Sequence, residues 1–424
     1  MKKKLLVVMV LLLCLSLLAC NKNPTPSEPN GTSSIVMVPK PDSLPTEGWH
    51  LPMQWHADTF AATEDGVFFL NNSCLCFLDT KTGCSVYLCS KVGCDHGERN
   101  ETDCDAFIPG MTMMMFFHDG RIYYDIYDEY GTHLYARNAD GTGLQEIATL
   151  CAGHITKDTS VSIREFSLAD NYLYYSVVVE GVTELEDGSF YSEPIYEALM
   201  RFDLRSGKEE ELFRTEDETV MILGTTDDMV LIIMRHLVTI EETLRPDYKD
   251  YITQFPAYLR LWSGETGGVS QLSELDRDLS GRFSGFFNGK AYFLSSDKTS
   301  FSSYDLASGT FGKADLPEDV TRIWNERYGA VMLDGYYDLV SGEYFANDYG
   351  TMQLPEGIDD FGASLTVVET GLIWYELYSK DHKGVFSQYA FVPFERLADG
   401  MQLSDRMVFI YQDDDGSKLV QPES

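Results

Sequence analysis

The chain has 424 residues, 44% of them apolar, with 67 acidic against 32 basic side chains and a net charge of −35. That balance excludes nucleic-acid binding through general electrostatics, because each phosphate contact needs a cation. With 25 Tyr, 24 Phe and no long helical stripe, the composition is that of a globular, β-rich protein. At the N-terminus, Lys2, Lys3 and Lys4 precede an apolar run from Leu5 to Leu18 and then Ala19 and Cys20. A charged start, an apolar core too short to span a bilayer comfortably and a small residue before the cut describe a secretory signal over 1–19, not a membrane helix.

Leu17-Leu18-Ala19-Cys20 resembles the lipobox of bacterial lipoproteins, with Leu18 bulkier than the residue usual there. The resemblance implies that Cys20 is diacylated (palmitate-type chains) and becomes the mature N-terminus. It places the protein on the cell membrane, lipid-anchored and facing outside the cytoplasm. Removing 1–19 takes away three lysines and leaves 29 basic against 67 acidic residues, a net charge of −38. So acidic a body cannot hold itself to anionic lipid, and the acyl chains must do the anchoring. Residues 20–46 are rich in Pro, Ser, Asn and Thr, a composition that buries too little surface to fold and predicts an extended tether.

Residues 47–424 then repeat two short patterns. The first is a turn followed by an aromatic or apolar strand, beginning at Asp65, Asp119, Asp170, Asp228, Asn288, Tyr328 and Thr370. The second is Asp-x-x-Ser/Thr-Gly, at Asp79–Gly83, Asp203–Gly207, Asp305–Gly309 and Asp338–Gly342, with relatives at Trp262–Gly267 and Asn138–Gly141. Asp and Ser cap such a turn through their side chains, while Gly supplies the positive φ of a tight hairpin. Each unit reads as four antiparallel strands, A to D, with the aromatic strand as B and the Asp-x-x-Ser-Gly turn joining C to D. Seven copies of one unit predict an all-β fold, a single seven-bladed β-propeller of four-stranded antiparallel blades. The sixth unit is short, which leaves six or eight blades as alternatives, and a two-sheet sandwich does not give near-equivalent units.

The aromatic strands resemble those of YWTD propellers, and the Asp-x-x-Ser-Gly turns resemble those of quinoprotein-type propellers. The mature chain as a whole resembles lipoproteins with propeller-like repeats common in gut Firmicutes. That resemblance implies architecture and location and carries no catalytic residues.

Eight cysteines remain after residue 19, and six lie between Cys74 and Cys104. The densest stretch falls in the inter-blade loop 89–109, where Cys89, Cys94, His96 and Cys104 supply three thiols and an imidazole in sixteen residues. That donor set suits a structural zinc ion. In an exported protein the same spacing also suits a disulfide, Cys89 to Cys94 or Cys94 to Cys104, with Cys74 or Cys76 paired to Cys84 or Cys89. Free thiols are the third reading. Cys151 and His154 could extend the cluster, although both suit a blade better. The run Met111-Thr112-Met113-Met114-Met115 suits a core strand better than a copper site.

D-to-A and B-to-C loops emerge on one face of a propeller. The loop 89–109 is of the first kind, and the two longest B-to-C insertions carry Phe190, Tyr191 and Tyr196, and Tyr248, Tyr251 and Phe255. Aromatic side chains on long loops over a rigid scaffold predict a binding face for a protein or glycan partner. The chain has no G-x-S-x-G, H-E-x-x-H, phosphate loop or dinucleotide fingerprint, so binding rather than catalysis is the expected role. Two alternatives stand beside it. One is a carbohydrate-active enzyme with two carboxylates about 5 to 9 Å apart over the central channel. The other is an envelope assembly scaffold, which predicts a large exposed apolar patch.

Overall fold

The computed structural model describes residues 35–53, 59–94, 96, 104–110, 112–128, 130–184, 188–276, 279, 282–295, 300–317, 319–331, 335–346, 358, 360–380, 383–400, 406–413 and 416–420. Cys20 and most of the expected tether lie outside them.

The repeated turns form as their residues predict. Asp79 accepts at Oδ1 from the Lys81 and Thr82 amides (2.8 and 3.3 Å), and the Gly83 amide donates to the Asp79 carbonyl at 2.8 Å. The same closing bond, again 2.8 Å, runs from Gly207 to Asp203, Gly309 to Asp305 and Gly342 to Asp338. These four glycines have φ of 66–75°, where a side chain would strain the backbone. The Lys81 amide on Asp79, the Ser206 hydroxyl on Asp203 and the Ser308 amide on Asp305 hold those carboxyls below the usual carboxylate range.

These hairpins assemble into seven antiparallel sheets, each from one continuous segment: 60–87, 115–150, 159–215, 218–275, 283–313, 322–346 and 360–419. The first six have four strands in sequence order, and the seventh adds a fifth, Gly416–Leu419, on its outer edge. The short sixth unit is a complete blade, with an A strand of only Arg322–Ile323. The count of seven therefore holds.

Seven apolar clusters fill the seven gaps between blades, which is how a disc of sheets buries both faces of each. The last gap closes the ring. Phe60, Val67 and Phe69 of blade 1 pack against Ile373, Phe391 and Phe409 of blade 7. Blades 1 and 7 share no strand; the Ser417 hydroxyl donates to Asn71 Oδ1 and the Asn72 side-chain Nδ2 to the Ser417 carbonyl.

The boundary of the folded body lies further toward the N-terminus than composition indicates. Residues 35–46, expected as tether, are extended but docked. The Val38 amide donates to Val269 and the Val269 amide to Val36 (3.0 and 2.8 Å), and the Leu44 amide donates to Leu306 at 3.2 Å. The strap crosses the face bearing the A–B and C–D turns, from the rim at blade 4 to the axis. There His50 bridges Thr225, Met53 bridges Phe166, and Trp49 stacks on Phe286 at 5.4 Å. Backbone pairing and one buried side chain, Leu44, hold a sequence too polar to fold alone.

Candidate functional site

The loop between blades 1 and 2 is pinned at both ends to blade 1. On the outgoing side the Leu88 amide donates to Leu75 (2.9 Å); on the return, the Leu75 amide donates to Ala106 and the Ile108 amide to Ser73, both at 2.8 Å. Arg137 of blade 2, 1% exposed, donates to the carbonyls of Asp105 (2.5 Å) and Phe107 (3.4 Å). This brings Cys89 and Cys104 side by side. A tight turn at Gly93 (φ 77°) returns Cys94. His96 takes φ 47°, a costly setting for a residue with a side chain, and its ring stacks on Tyr87 at 4.5 Å.

The Sγ atoms of Cys89, Cys94 and Cys104 and a ring nitrogen of His96 all lie within 4.8 Å of one another, and Cys104 Sγ is 3.7 Å from His96 Nδ1. Zinc–ligand bonds of about 2.3 Å to sulfur and 2.0–2.1 Å to nitrogen give tetrahedral edges of about 3.8 Å (S···S) and 3.6 Å (S···N). The Cys104–His96 edge already has that length, and drawing in the widest pair by about 1 Å completes the tetrahedron. Burial pushes the Cys89 thiol up, but donors outweigh it and bring it below its ordinary value: the amides of Lys91 and Asp105 and the thiols of Cys94 and Cys104. Burial raises Cys104. A cluster of this donor set and spacing can bind a metal ion. All seven cysteines from Cys74 to Cys151 are free thiols, so none of the disulfides considered above is formed. Cys151 and His154 stand apart from the cluster. Cys151 is buried between blades 2 and 3, and the His154 ring pairs with the Tyr196 hydroxyl at 2.6 Å. Met114 and Met115 are core, 0% and 2% exposed.

The aromatic loop residues divide. In blade 3 the B and C strands, Tyr172–Glu184 and Phe190–Asp203, pair from Tyr172↔Asp203 out to Glu184↔Phe190, while the D strand flanks only Glu197–Asp203. The hairpin therefore overhangs its blade, and the D strand leaves 190–196 uncovered. Phe190 (71% exposed) and Ile195 (46%) stand on this overhang, Tyr191 is half-buried, and Tyr196 packs under Arg214 at 4.4 Å. In blade 4 the insertion folds into two short helices, Ile240–Thr243 and Tyr248–Ile252. Tyr251 donates to Glu242 (2.8 Å) and lies under Arg245, Phe255 stacks on His236 at 3.8 Å, and Tyr248 is half-buried. Tyr196, Tyr251 and Phe255 thus brace their own loops. Phe190 presents its ring to solvent.

Sequence reasoning missed the centre of the disc. The A-strand ends form a funnel of about 610 Å³ on the A–B face, lined by Trp49, Phe60, Phe116, Phe117, Phe286 and Trp324. Asp170, Glu326 and Glu369 are exposed on its rim. Leu51, Pro52 and Met53 close its floor and form the roof of a second cavity of about 550 Å³ on the other side. No signal in an extended Pro-containing segment points to a channel plug; only the alternation of Trp49, Leu51 and Met53 hints at a buried strand.

Fold and site together define a seven-bladed propeller with a metal-competent Cys3His cluster on the D–A face. No known family profile and no curated protein matches the chain. Among solved structures it is similar to TolB from Acinetobacter baumannii (14% identity over 79% of this chain and 75% of that one, TM-score 0.32). It is also similar to an acylaminoacyl peptidase from Pyrococcus horikoshii (11% identity, 84% of this chain and 52% of that one, TM-score 0.41). A third is an oligogalacturonate lyase in complex with manganese (10% identity, 69% of this chain, TM-score 0.29), of whose length the chain spans 62%. These include enzymes and a non-enzyme, and at such identities no residue role passes to this chain.

Proposed function

We propose that the protein is a lipid-anchored, extracytoplasmic propeller that binds a protein or glycan partner through the face bearing its B–C and D–A loops. The observation that carries this reading is the overhang of blade 3: a two-stranded extension with an edge its own sheet leaves uncovered and two exposed apolar side chains, Phe190 and Ile195. Uncovered strand edges and solvent-facing rings are what a folded protein avoids unless something covers them. In the same reading the Cys89, Cys94, His96, Cys104 cluster is a structural zinc site that stiffens the neighbouring loop. Among the described residues the exposed apolar side chains come from the strap, the 89–109 loop, blades 1, 2, 3, 6 and 7 and the 239–256 insertion, which favours a local contact over a scaffold docked through one broad patch.

The test has two arms. Cys20→Ala moves the protein from the membrane fraction to the soluble one; retention in the membrane overturns the anchor. A Phe190→Ala/Ile195→Ser double variant, compared with wild type by glycan array and by crosslinking on intact cells, loses partner capture. Equal capture by the two proteins overturns the proposed face.

A further inference from the structure

The cavity beneath the plug differs from the rest of this acidic molecule. Arg282 leads into the A strand of blade 5, and Arg322 opens the A strand of blade 6; both line the cavity with Ser284 and Thr321. Other arginines set against the blades have carboxylate partners. Arg164 pairs with Glu197, Arg201 with Glu210, Arg214 with Glu211 and Arg260 with Glu218, all at 2.5–2.7 Å, and Arg406 with Glu376. Arg282 and Arg322 have no side-chain partner among the described residues. Burial alone pushes the Arg322 pKa down, with no carboxylate raising it in return. In a chain with 67 acidic residues, two guanidiniums on one cavity without a paired carboxylate among the described residues are a cost to the fold that a bound anion would offset.

One carboxyl, Glu165, shares the wall. Its Oε2 accepts from the Ile222 amide (2.7 Å) and the Ser176 hydroxyl (3.3 Å), and burial raises its pKa to about 7, so near neutral pH it is not a full counter-charge. The remaining wall is apolar, formed by Pro52 and Met53 of the strap with Phe283 and Leu294 of blade 5.

We propose that this cavity binds a small carboxylate-bearing organic anion, its acid group held by Arg282 and Arg322 and its apolar part against Pro52, Met53 and Phe283. The planar guanidinium fork matches a carboxylate in two parallel hydrogen bonds, and two forks replace the missing counter-charges at once. A volume of about 550 Å³ falls within the range of small-molecule sites. The site lies near the axis of the disc, where the A strands of blades 5 and 6 begin; it is on the D–A side but apart from the blade 3 overhang and does not rest on the partner-binding reading.

The experiment is calorimetric titration of the full chain, in detergent at pH 7, with acetate, succinate, benzoate and the uncharged isostere benzamide. At least one carboxylate saturates one site per chain, benzoate binds more tightly than acetate, and benzamide does not bind. Arg322→Gln and Arg282→Gln each weaken that binding at least tenfold, and Arg322→Lys retains part of it. Thermal midpoints of the Gln variants stay level or rise, because each removes a charge that has no counter-charge among the described residues; an arginine serving only the fold would lower them. Absence of saturable binding by all three carboxylates overturns the proposal. So does binding by the Arg282→Gln/Arg322→Gln double variant equal to wild type.

Discussion

Replacing Cys94 by Ser removes one corner of the Cys3His tetrahedron and leaves Cys89, His96 and Cys104 in place. The remaining three donors no longer close the site, and metal affinity falls by orders of magnitude. A metal that binds only the folded chain stabilises it by about 4 kcal/mol when free metal exceeds Kd a thousandfold. Unfolding entropy of about 2.1 cal/mol/K per residue over roughly 380 folded residues converts this to a midpoint shift of about 5 °C. The proposed zinc site thus has purified wild type carrying one zinc per chain, with a strong chelator lowering its midpoint by about that amount. Cys94→Ser starts from the lowered value and ignores the chelator. Cys84→Ser, which alters a half-buried thiol at the start of the D strand of blade 1 outside the cluster, behaves as wild type. Calorimetry with metal analysis reads all three. Wild type lacking stoichiometric metal and insensitive to chelator, or Cys84→Ser and Cys94→Ser behaving alike, refutes the tetrahedral reading.

Three further outcomes follow from the packing. Glu165 has its pKa raised by burial from 4.5 to about 7, so the stability this group contributes is full below pH 4.5 and declines as pH rises through 7. The decline is about 3 kcal/mol, and urea melts of Glu165→Gln against wild type show it flattened in the variant. Gly371→Ala destabilises blade 7 by about 2 kcal/mol or more, because a Cβ there would lie 2.4 Å from the Val392 carbonyl oxygen and 2.6 Å from the Phe391 ring. A chemical melt unchanged by that substitution contradicts the packing. Trp49→Ala removes the stack on Phe286 and the 2.8 Å bond from Nε1 to the Pro45 carbonyl, at a cost of about 2 kcal/mol to strap docking. Limited proteolysis detects it as faster cleavage within 35–53 while the blades stay intact.

The blades were legible because turn chemistry is local. Asp79, Thr82 and Gly83 act within five residues, and four such turns together with seven turn-and-strand starts imply a closed ring whatever fills the gaps. Cys89, Cys94, His96 and Cys104 were legible as a group because they are close in the chain, and their convergence followed from a loop pinned at both ends. That the four donors lie within 4.8 Å of one another, as a metal would require, could be read only from three-dimensional distances. The aromatic insertions were half legible: a sequence locates Tyr251 and Phe255 on a loop but does not show that Arg245 and His236 already occupy their faces. The strap was illegible because its docking relies on backbone pairing to Thr225, Val269 and Leu306, which leaves no side-chain pattern. Arg282 and Arg322 were illegible for another reason. An unpaired charge is defined by what is absent around it, and forty residues of sequence separate the two.

The strap also sets a load path. A pull on the chain before Ile35 acts first on the hydrogen bonds between Val36, Val38 and Val269, then on Leu44, and reaches His50 and Met53 last. Force applied from that end peels contacts one after another rather than shearing them together. The outer attachments yield like the first teeth of a zip, while Pro52 and Met53, the partition between the funnel and the arginine-lined cavity, are the last to move. Tension on the N-terminal segment would thus be spent at the rim before it opened the axis of the disc.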